Sequence, residues 1–384
     1  MAVSSTTGGL KTGVCLSTDR PDNPYTGQVI FESDTGKVYV WAGSAWVNIG
    51  DTSGEGVQLP SGTTAERPGS PTAGQMRFNE TTGEPEWYSS TASSWLKFRQ
   101  APELTVTYLV VAGGGGGGGA TRGAGGGAGG YRSSVQGESS GGGSSAETPL
   151  TLIYSTAYTV TVGAGGNSGA YDASNAAVAG TNGSDSVFHT VTSTGGGGGA
   201  ASDNAGANRS AGAGGSGGGG WYGPNSGAGA GTANQGYAGG SGGNSPPYGG
   251  GGGGAGQAGR AFNDGSDPSG GGDGVQSYIT GSGVYRAGGG SASNWSAASN
   301  YPGGLGGGGI GTNLTGVTPP VAAANGTDNT GGGGGSSGNG GSGVVIISYE
   351  GPAPTVSAGL TYTSSNVGAN KVLVFTAGTG TVTF

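Results

Sequence analysis

Seven consecutive glycines occupy residues 113–119, directly after the strand-like run 105-TVTYLVVA-112. Glycine has no side chain to bury and loses more conformational freedom on folding than any other residue. A helix over such a run is disfavoured by about 1 kcal/mol per glycine. Further runs recur at 123–130, 195–199, 217–220, 249–254, 288–290, 306–309 and 331–335. Of the 99 glycines, 13 fall in residues 1–100, 81 in residues 101–350 and 5 in residues 351–384. The middle of the chain therefore cannot build a conventional side-chain core, whereas both flanks have ordinary compositions.

Two readings of the middle follow. Composition this rich in glycine is typical of disorder. Against that, strands with period-two alternation punctuate the region: 105-TVTYLVVA-112, 149-PLTLIY-154, 157-AYTVTV-162, 186-SVFHTV-191 and 343-GVVIISY-349. The first and last bracket the glycine block and are rich in Val, Ile, Leu and Tyr, as buried strands are. Collagen is excluded, because the glycines come in runs and lack a strict Gly-X-Y period. An ordered form open to such runs is a polyglycine-II array, in which extended helices with three residues per turn bond to one another laterally, with disorder of most of residues 113–340 as the alternative. Seven residues would span about 22 Å at the ~3.1 Å rise of such a helix. The expected fold is all-β plus polyglycine-II helices, with almost no α-helix.

The first hundred residues hold a repeat. Arg20/Arg67, Pro21/Pro68, Pro24/Pro71, Gly27/Gly74, Gln28/Gln75, Phe31/Phe78, Thr35/Thr82 and Gly36/Gly83 each lie 47 apart, and Trp46/Trp95 lie 49 apart. Such self-similarity marks one supersecondary unit used twice. Each unit reads as a β-hairpin, strand 28-QVIFES-33 returning as 37-KVYVWA-42 in the first copy. The expected organisation is an N-terminal arm over 1–16, hairpin repeats over 17–50 and 62–99, a glycine-rich domain over 105–350 and a C-terminal β-tail over 354–384. A unit of this size buries little by itself and needs neighbours. Apolar residues on both faces, Val38 and Val40 against Tyr39 and Trp41, point to association through residues 17–99.

Several function classes weaken on charge and chemistry. A net charge of −8 disfavours nucleic acid, which calls for a basic patch. No apolar run reaches the ~20 residues of a membrane helix, so no membrane insertion is expected. The start, MAVSSTTGGLKTGVCLS, lacks the apolar core of an export signal. Cys15 is the one cysteine and is expected to stay reduced. The one histidine, His189, reads as a strand residue. Asp264, Asp267 and Asp273 match a calcium loop in composition but not in spacing, so no metal is expected. The glycine runs precede no predicted helix and are not phosphate loops. No cofactor is expected, and no carboxylate pair has the arrangement that glycan cleavage requires, so the chain does not read as an enzyme.

The sequences YLVVAGGGGGG, YTVTVGAGG and GSGVVIISY resemble the glycine-rich domain of tailed-bacteriophage fibre proteins. The repeat RPxxPxxGQxxFxxxTG resembles small β-units near the start of phage structural proteins, and KVLVFTAGTGTVTF is similar to short β-tails of the same proteins. In part the glycine runs also resemble the adhesins of T-even-type long tail fibres, whose polyglycine helices form a slab presenting variable loops. The two N-terminal repeats and the C-terminal tail depart from those adhesins. The resemblance implies a virion protein, made in the host cytoplasm, that assembles as a homotrimer. It also implies contact with other virion proteins through the N-terminal region. Location on the tail or on the capsid stays open, as does a spacer or capsid-attached fibre without receptor binding.

Between the glycine runs lie aromatic-polar inserts: 221-WYGPNSG-227, 236-GYAGG-240, 244-NSPPYG-249, 284-VYRAG-288 and 291-SASNWSAASNYPG-303. Rigid amphipathic rings among Ser, Asn and Gly are the chemistry of antibody loops. Trp221, Tyr222, Tyr248, Tyr285, Trp295 and Tyr301 are the candidate contacts to a host surface glycan or an outer-membrane receptor. The alternative is that these rings fill gaps against the glycine rods, since Tyr and Trp bury usefully in any scaffold.

Overall fold

The structure, a computed structural model, describes residues 13–51, 59–98, 103–119, 123–169, 177–202, 208–221, 227–244, 247–262, 269–293, 302–312 and 322–384. The chain divides into two compact units, Met1–Ala101 and Pro102–Phe384. Among the described residues there is no α-helix, only two three-residue 3₁₀ turns.

The first unit contains the repeat as two four-stranded sheets. In the first, β1 (Gly13–Cys15) pairs parallel to β2 (Val29–Glu32), which continues antiparallel into β3 (Lys37–Trp41) and β4 (Trp46–Asp51). The second repeats this order with β5 (Ser61–Gly62), β6 (Met76–Asn79), β7 (Glu84–Ser89) and β8 (Ser94–Lys97). Each unit is thus larger than the expected hairpin. The proline-bearing lead-in crosses between the first and second strands and lets the chain ahead of the repeat pair in parallel, a geometry a hairpin turn cannot make. Gly36 and Gly83, both at φ 69°, take the equivalent place in the two turns.

Beneath each lead-in lies a buried carboxylate held by an arginine. Glu32 is fully buried, pairs with Arg20 and accepts from the Thr35 hydroxyl at 2.8 Å; the Arg20 guanidinium lies 4.5 Å from the Tyr39 ring centre. In the second repeat the carboxylate has moved one strand over. Glu86 stands where Tyr39 stands in the first repeat and is bonded by Arg67 Nη2 at 2.6 Å. Asn79, in the place of Glu32, donates to Glu86 at 3.0 Å. The arginine bond holds both carboxyls below their ordinary value of 4.5, against the opposing effect of burial.

The second unit is built on a ten-stranded sheet. β9 (Glu103–Val111) and β10 (Tyr131–Ser133) pair antiparallel, and β11 (Leu150–Ile153) pairs with the start of β9. β12 (Ala157–Thr161), β13 (Ser186–Phe188) and β14 (Val191–Ser193) follow as a meander. The run 186–191, expected as one strand, is a hairpin. His189 sits in its turn at φ 52°, with its ring 4.9 Å from Tyr158, so it is a turn residue and not a strand residue. Short ladders join β15 (Ala201–Ser202) to β16 (Asn208–Arg209), β17 (Gly243–Asn244) to β18 (Pro247–Tyr248) and β19 (Val275–Ser277) to β20 (Val284–Arg286). β21 (Val344–Tyr349), β22 (Thr355–Val356), β23 (Leu360–Val367) and β24 (Asn370–Thr383) complete the unit.

The strands that bracket the glycine block in sequence are neighbours in space, since β21 pairs antiparallel with β9 from Val344↔Val111 to Ser348↔Thr107. β21 and the second half of β9, residues 108–111, are buried on both faces. Val106, Tyr108, Val110, Val345, Ile347, Leu373 and Phe375 form one core; Leu109, Val111, Tyr131, Val344, Ile346 and Val372 form the other. The C-terminal strands lie within this sheet, where β24 pairs with β21, β12, β22 and β23.

The glycine runs are ordered rods. Within residues 113–119, the N–H groups of Gly113, Gly116 and Gly119 donate to Ser184, Thr181 and Val178 at 2.9–3.0 Å. Those of Gly114 and Gly117 donate to Gly341 and Gly338, and those of Gly115 and Gly118 to Gly127 and Ala124. Every third residue meets the same neighbour, and the neighbour's numbers fall by three, so these three neighbours run antiparallel. The carbonyls of Gly113 and Gly116 accept from Gly196 and Gly199, those of Gly114 and Gly117 from Gly166 and Gly169, and those of Gly115 and Gly118 from Gly334 and Ser337. These numbers rise by three, so the other three neighbours run parallel. A helix of three residues per turn with six bonded neighbours is the polyglycine-II lattice. It satisfies every N–H and C=O that burial would otherwise leave unpaired.

Candidate functional site

The hydrogen-bond register gives each rod a direction. Residues 112–119, 163–169, 194–200 and 287–293 leave β9, β12, β14 and β20. Residues 123–130, 177–184, 269–274 and 338–343 return to β10, β13, β19 and β21. The remaining rods follow from these. Ser216 donates to Ala128 and Gly219 to Gly125, so residues 216–221 run antiparallel to an inward rod and point outward. Gly125 donates to Gly250 and Ala128 to Gly253, so residues 250–253 run inward. The slab therefore has a strand end and a far end. At the far end lie the described residues that flank each break in the rods: Gly119 and Gly123, Gly169 and Ala177, Ser202 and Asn208, Trp221 and Gly227, Asn244 and Pro247, Phe262 and Ser269, Ser293 and Pro302, and Thr312 and Ala322.

Close rod packing leaves no room for side chains inside the slab. A Cβ on Gly115 would stand 2.2 Å from the Gly197 oxygen, and one on Gly117 would stand 2.0 Å from the Gly335 oxygen. The alanines in the rods keep the lattice hydrogen bonds, Ala124 donating to Ala200 at 3.0 Å and Ala128 to Gly253 at 2.9 Å, and occur where a rod borders a side-chain cluster. Ala128, Ala255 and Ala287 meet the strand-end core around Tyr131 and Ile279. Ala124 and Ala200 meet Trp221 near the far end.

Of the six candidate contacts three lie among the described residues, and these three do not share one end of the slab. Trp221 is only 5% exposed and packs on Ala124 and Ala200. Tyr248 is 4% exposed, and its ring centre lies 4.6 Å from that of Phe262. These two rings take the space opened by the alanines and by the ends of the rods. Tyr285 is 40% exposed, but it lies on β20, at the strand end. Tyr222, Trp295 and Tyr301 lie outside the described residues. Phe262 was not singled out from the sequence. Its signal was available, an aromatic in 260-RAFND-264 at the last position of a rod, as Trp221 is in 217-GGGGWY-222.

A polar hollow of about 540 Å³ lies at the strand end, lined by Arg132, Ser140, Ser144, Glu147, Asn234 and Gln235 among others. Its carboxylate is occupied: Glu147 accepts from Arg132 Nε and Nη2 at 2.8 and 2.6 Å and from the Tyr108 hydroxyl at 2.8 Å. Burial, foremost, and the Glu147 hydrogen bond raise the Tyr108 hydroxyl far above its usual range. The arrangement braces β9 against the 134–148 segment. Among the described residues no cluster of His, Cys, Asp and Glu has the arrangement of a metal site. Asp264 and Asp267 lie outside the described residues, and Asp273 accepts the Leu305 N–H at 2.8 Å.

A family model described as a glycine-rich domain matches residues 89–350. No curated protein and no solved structure matches the chain.

Proposed function

This chain belongs to the glycine-rich domain family, and on that premise we propose that it is a virion fibre protein of a tailed bacteriophage. In this reading it belongs to the tail fibre and presents surface loops for host-receptor binding. The observation that carries the reading is the one-sidedness of the slab: the flanking residues of every break between outgoing and returning rods lie at the far end. A lattice bonded through its whole backbone is a rigid base. Segments anchored on it at both ends lose less freedom on binding than free loops, for which each immobilised side chain costs about 0.5–1.5 kcal/mol. The proposed target is a surface glycan or an outer-membrane receptor, met by Tyr222, Trp295 and Tyr301 without catalysis, cofactor or metal. Assembly is as a homotrimer through residues 17–99, attached to other virion proteins by the N-terminal region, and trimeric display multiplies weak contacts. Nucleic-acid binding and membrane insertion play no part in it. No helix among the described residues is long and apolar enough to cross a membrane.

The burial of Trp221 and Tyr248 favours a second reading, in which the aromatics only fill space and the protein is a structural spacer or a capsid-attached fibre. Virions carrying Tyr222→Ala, Trp295→Ala or Tyr301→Ala separate the two. The receptor reading expects normal assembly with reduced adsorption to host cells. Normal adsorption by all three would leave the spacer.

A further inference from the structure

Three Asn-Gly pairs occur in the sequence, Asn182-Gly183, Asn325-Gly326 and Asn339-Gly340, and all three lie in rods of the slab. The lattice accounts for both members of each pair. A Cβ at position 183 would stand 2.2 Å from the Gly113 oxygen, one at 326 would stand 2.0 Å from the Gly332 oxygen, and one at 340 would stand 2.0 Å from the Gly114 oxygen, which leaves room only for glycine. The asparagines are exposed, at the border of the lattice. There a side-chain oxygen stands in for the carbonyl of a missing rod. Asn182 Oδ1 accepts from the Gly198 N–H at 2.9 Å, Asn325 Oδ1 from Asn339 at 2.9 Å and Asn339 Oδ1 from Ser168 at 2.7 Å.

An Asn-Gly pair is reactive for the reason that it fits here: glycine has no Cβ to shield its nitrogen or to stop the chain from turning back. In a free chain that nitrogen attacks the asparagine Cγ. The glycine N–H proton is given up, the side-chain nitrogen leaves as ammonia and a cyclic imide closes. Water then opens the imide at either carbonyl, giving aspartate or isoaspartate, the second with one more carbon in the backbone. The lattice blocks the first step. The N–H groups of Gly183, Gly326 and Gly340 donate to the oxygens of Gly196, Asn339 and Gly166 at 2.9, 2.8 and 2.8 Å. A nitrogen whose proton is held by a carbonyl is a poor nucleophile, and an extended rod keeps it turned away from the side chain. The side chains are tied down as well, since Asn182 Nδ2 also donates to the Ala213 oxygen at 2.9 Å.

We infer that Asn182, Asn325 and Asn339 are latent modification sites, closed while the rods are packed and converted to aspartate or isoaspartate when an outer rod detaches. The inference is independent of the fibre reading, because it concerns the lattice and holds for any role of the slab. Isoaspartate does not fit back. A rod repeats every three residues, and the oxygens of Gly338 and Gly341 accept from Gly117 and Gly114. An extra backbone carbon at position 339 lies between those two acceptors and puts one of them out of step. A rod that stays detached therefore ages into one that cannot dock again.

The test is peptide mass spectrometry of the full chain held in mildly alkaline buffer, beside synthetic peptides of residues 178–187, 322–329 and 336–343 as the unprotected reference. Each asparagine should convert at least about tenfold more slowly in the folded chain than in its peptide, a rate effect of about 1.4 kcal/mol. Conversion through local opening ties this slowing to hydrogen exchange, so the order of the three sites should follow the exchange protection of the Gly183, Gly326 and Gly340 amides. Chains in which Asn339 has become isoaspartate should exchange Gly114 or Gly117 fast. Conversion of any of the three in the folded chain at its peptide's rate would overturn the inference. So would an order of rates unrelated to exchange, or full protection of Gly114 and Gly117 in chains carrying isoaspartate at 339.

Discussion

A single β-carbon separates the residues this lattice accepts from those it rejects. At Gly117 that carbon would meet the Gly335 carbonyl at 2.0 Å, and the obstacle is backbone bonded on several sides, which cannot swing aside. At Gly227 it would meet nothing within 4 Å. Gly117→Ala is therefore expected to lose the folded second unit, whereas Gly227→Ala should melt within about 0.5 kcal/mol of the parent; thermal unfolding of the two variants checks both. In the first unit the sensitive residues are carboxylates. Arg67 holds the Glu86 carboxyl below 4.5 and Arg20 does the same for Glu32. A group whose value is depressed by folding contributes its stability above the unfolded value, and that stability is lost as pH falls through the folded value. The first unit should hold above pH 4.5 and loosen below it. Tryptophan fluorescence reports this, because Trp41, Trp46, Trp87 and Trp95 all lie there. Glu86→Gln should flatten part of that acid limb and lower stability at neutral pH.

At the scale of the element, the rods follow different rules from helices and strands. A rod of three residues per turn is carried onto itself by a step of one residue along its axis, provided the residues are identical. Deleting one glycine from 113–119 should thus preserve the lattice up to the shortened end, although Gly117→Ala destroys it. Deleting Gly126 is different. It would pull Ala124 or Ala128 away from the clusters around Trp221 and Tyr131 into positions where a Cβ meets backbone. Melting curves should place the first deletion near the parent and the second far below it; equal losses would contradict the screw-symmetric account. The strands are ordinary by comparison. β21 and the second half of β9, residues 108–111, are buried on both faces and read as nearly continuous apolar runs, while the first half of β9 alternates, which is why both stood out in the sequence.

Across the second unit, sheet and rods support each other. No rod is stable alone, since its hydrogen bonds all go to other rods, and the neighbours of residues 113–119 come from segments as distant as residue 341. β9, β12 and β14 launch rods and β10, β13 and β21 receive them, so the ten-stranded sheet sets their starting positions, while the β19–β20 ladder does the same for the rods that meet it. Hydrogen exchange should accordingly show the amides of 113–118 protected to the same degree as those of β9 and β21, in one cooperative block. Fast exchange through the glycine run with a protected sheet would show instead that the rods are not held.

The sequence alone determined the fold class and the places where order begins. Glycine runs exclude helix and a side-chain core, bracketing strands call for burial, and the 47-residue repeat marks one unit used twice. These features are local, a matter of which side chains are present and how they alternate. Three things were decided only in the tertiary structure. His189 became a turn residue because β13 and β14 pair with each other, a choice that composition leaves open. Glu32 and Glu86 became buried partners of arginines because the lead-ins fold back over one face, which also left the apolar face bare. The candidate aromatics were sorted by the ends of the rods, with Trp221 and Tyr248 under the far end and Tyr285 at the strand end. An aromatic beside a glycine run looks the same in sequence at either end of a rod. Its burial depends on which rods stand beside it, and those come from residues far away in the chain.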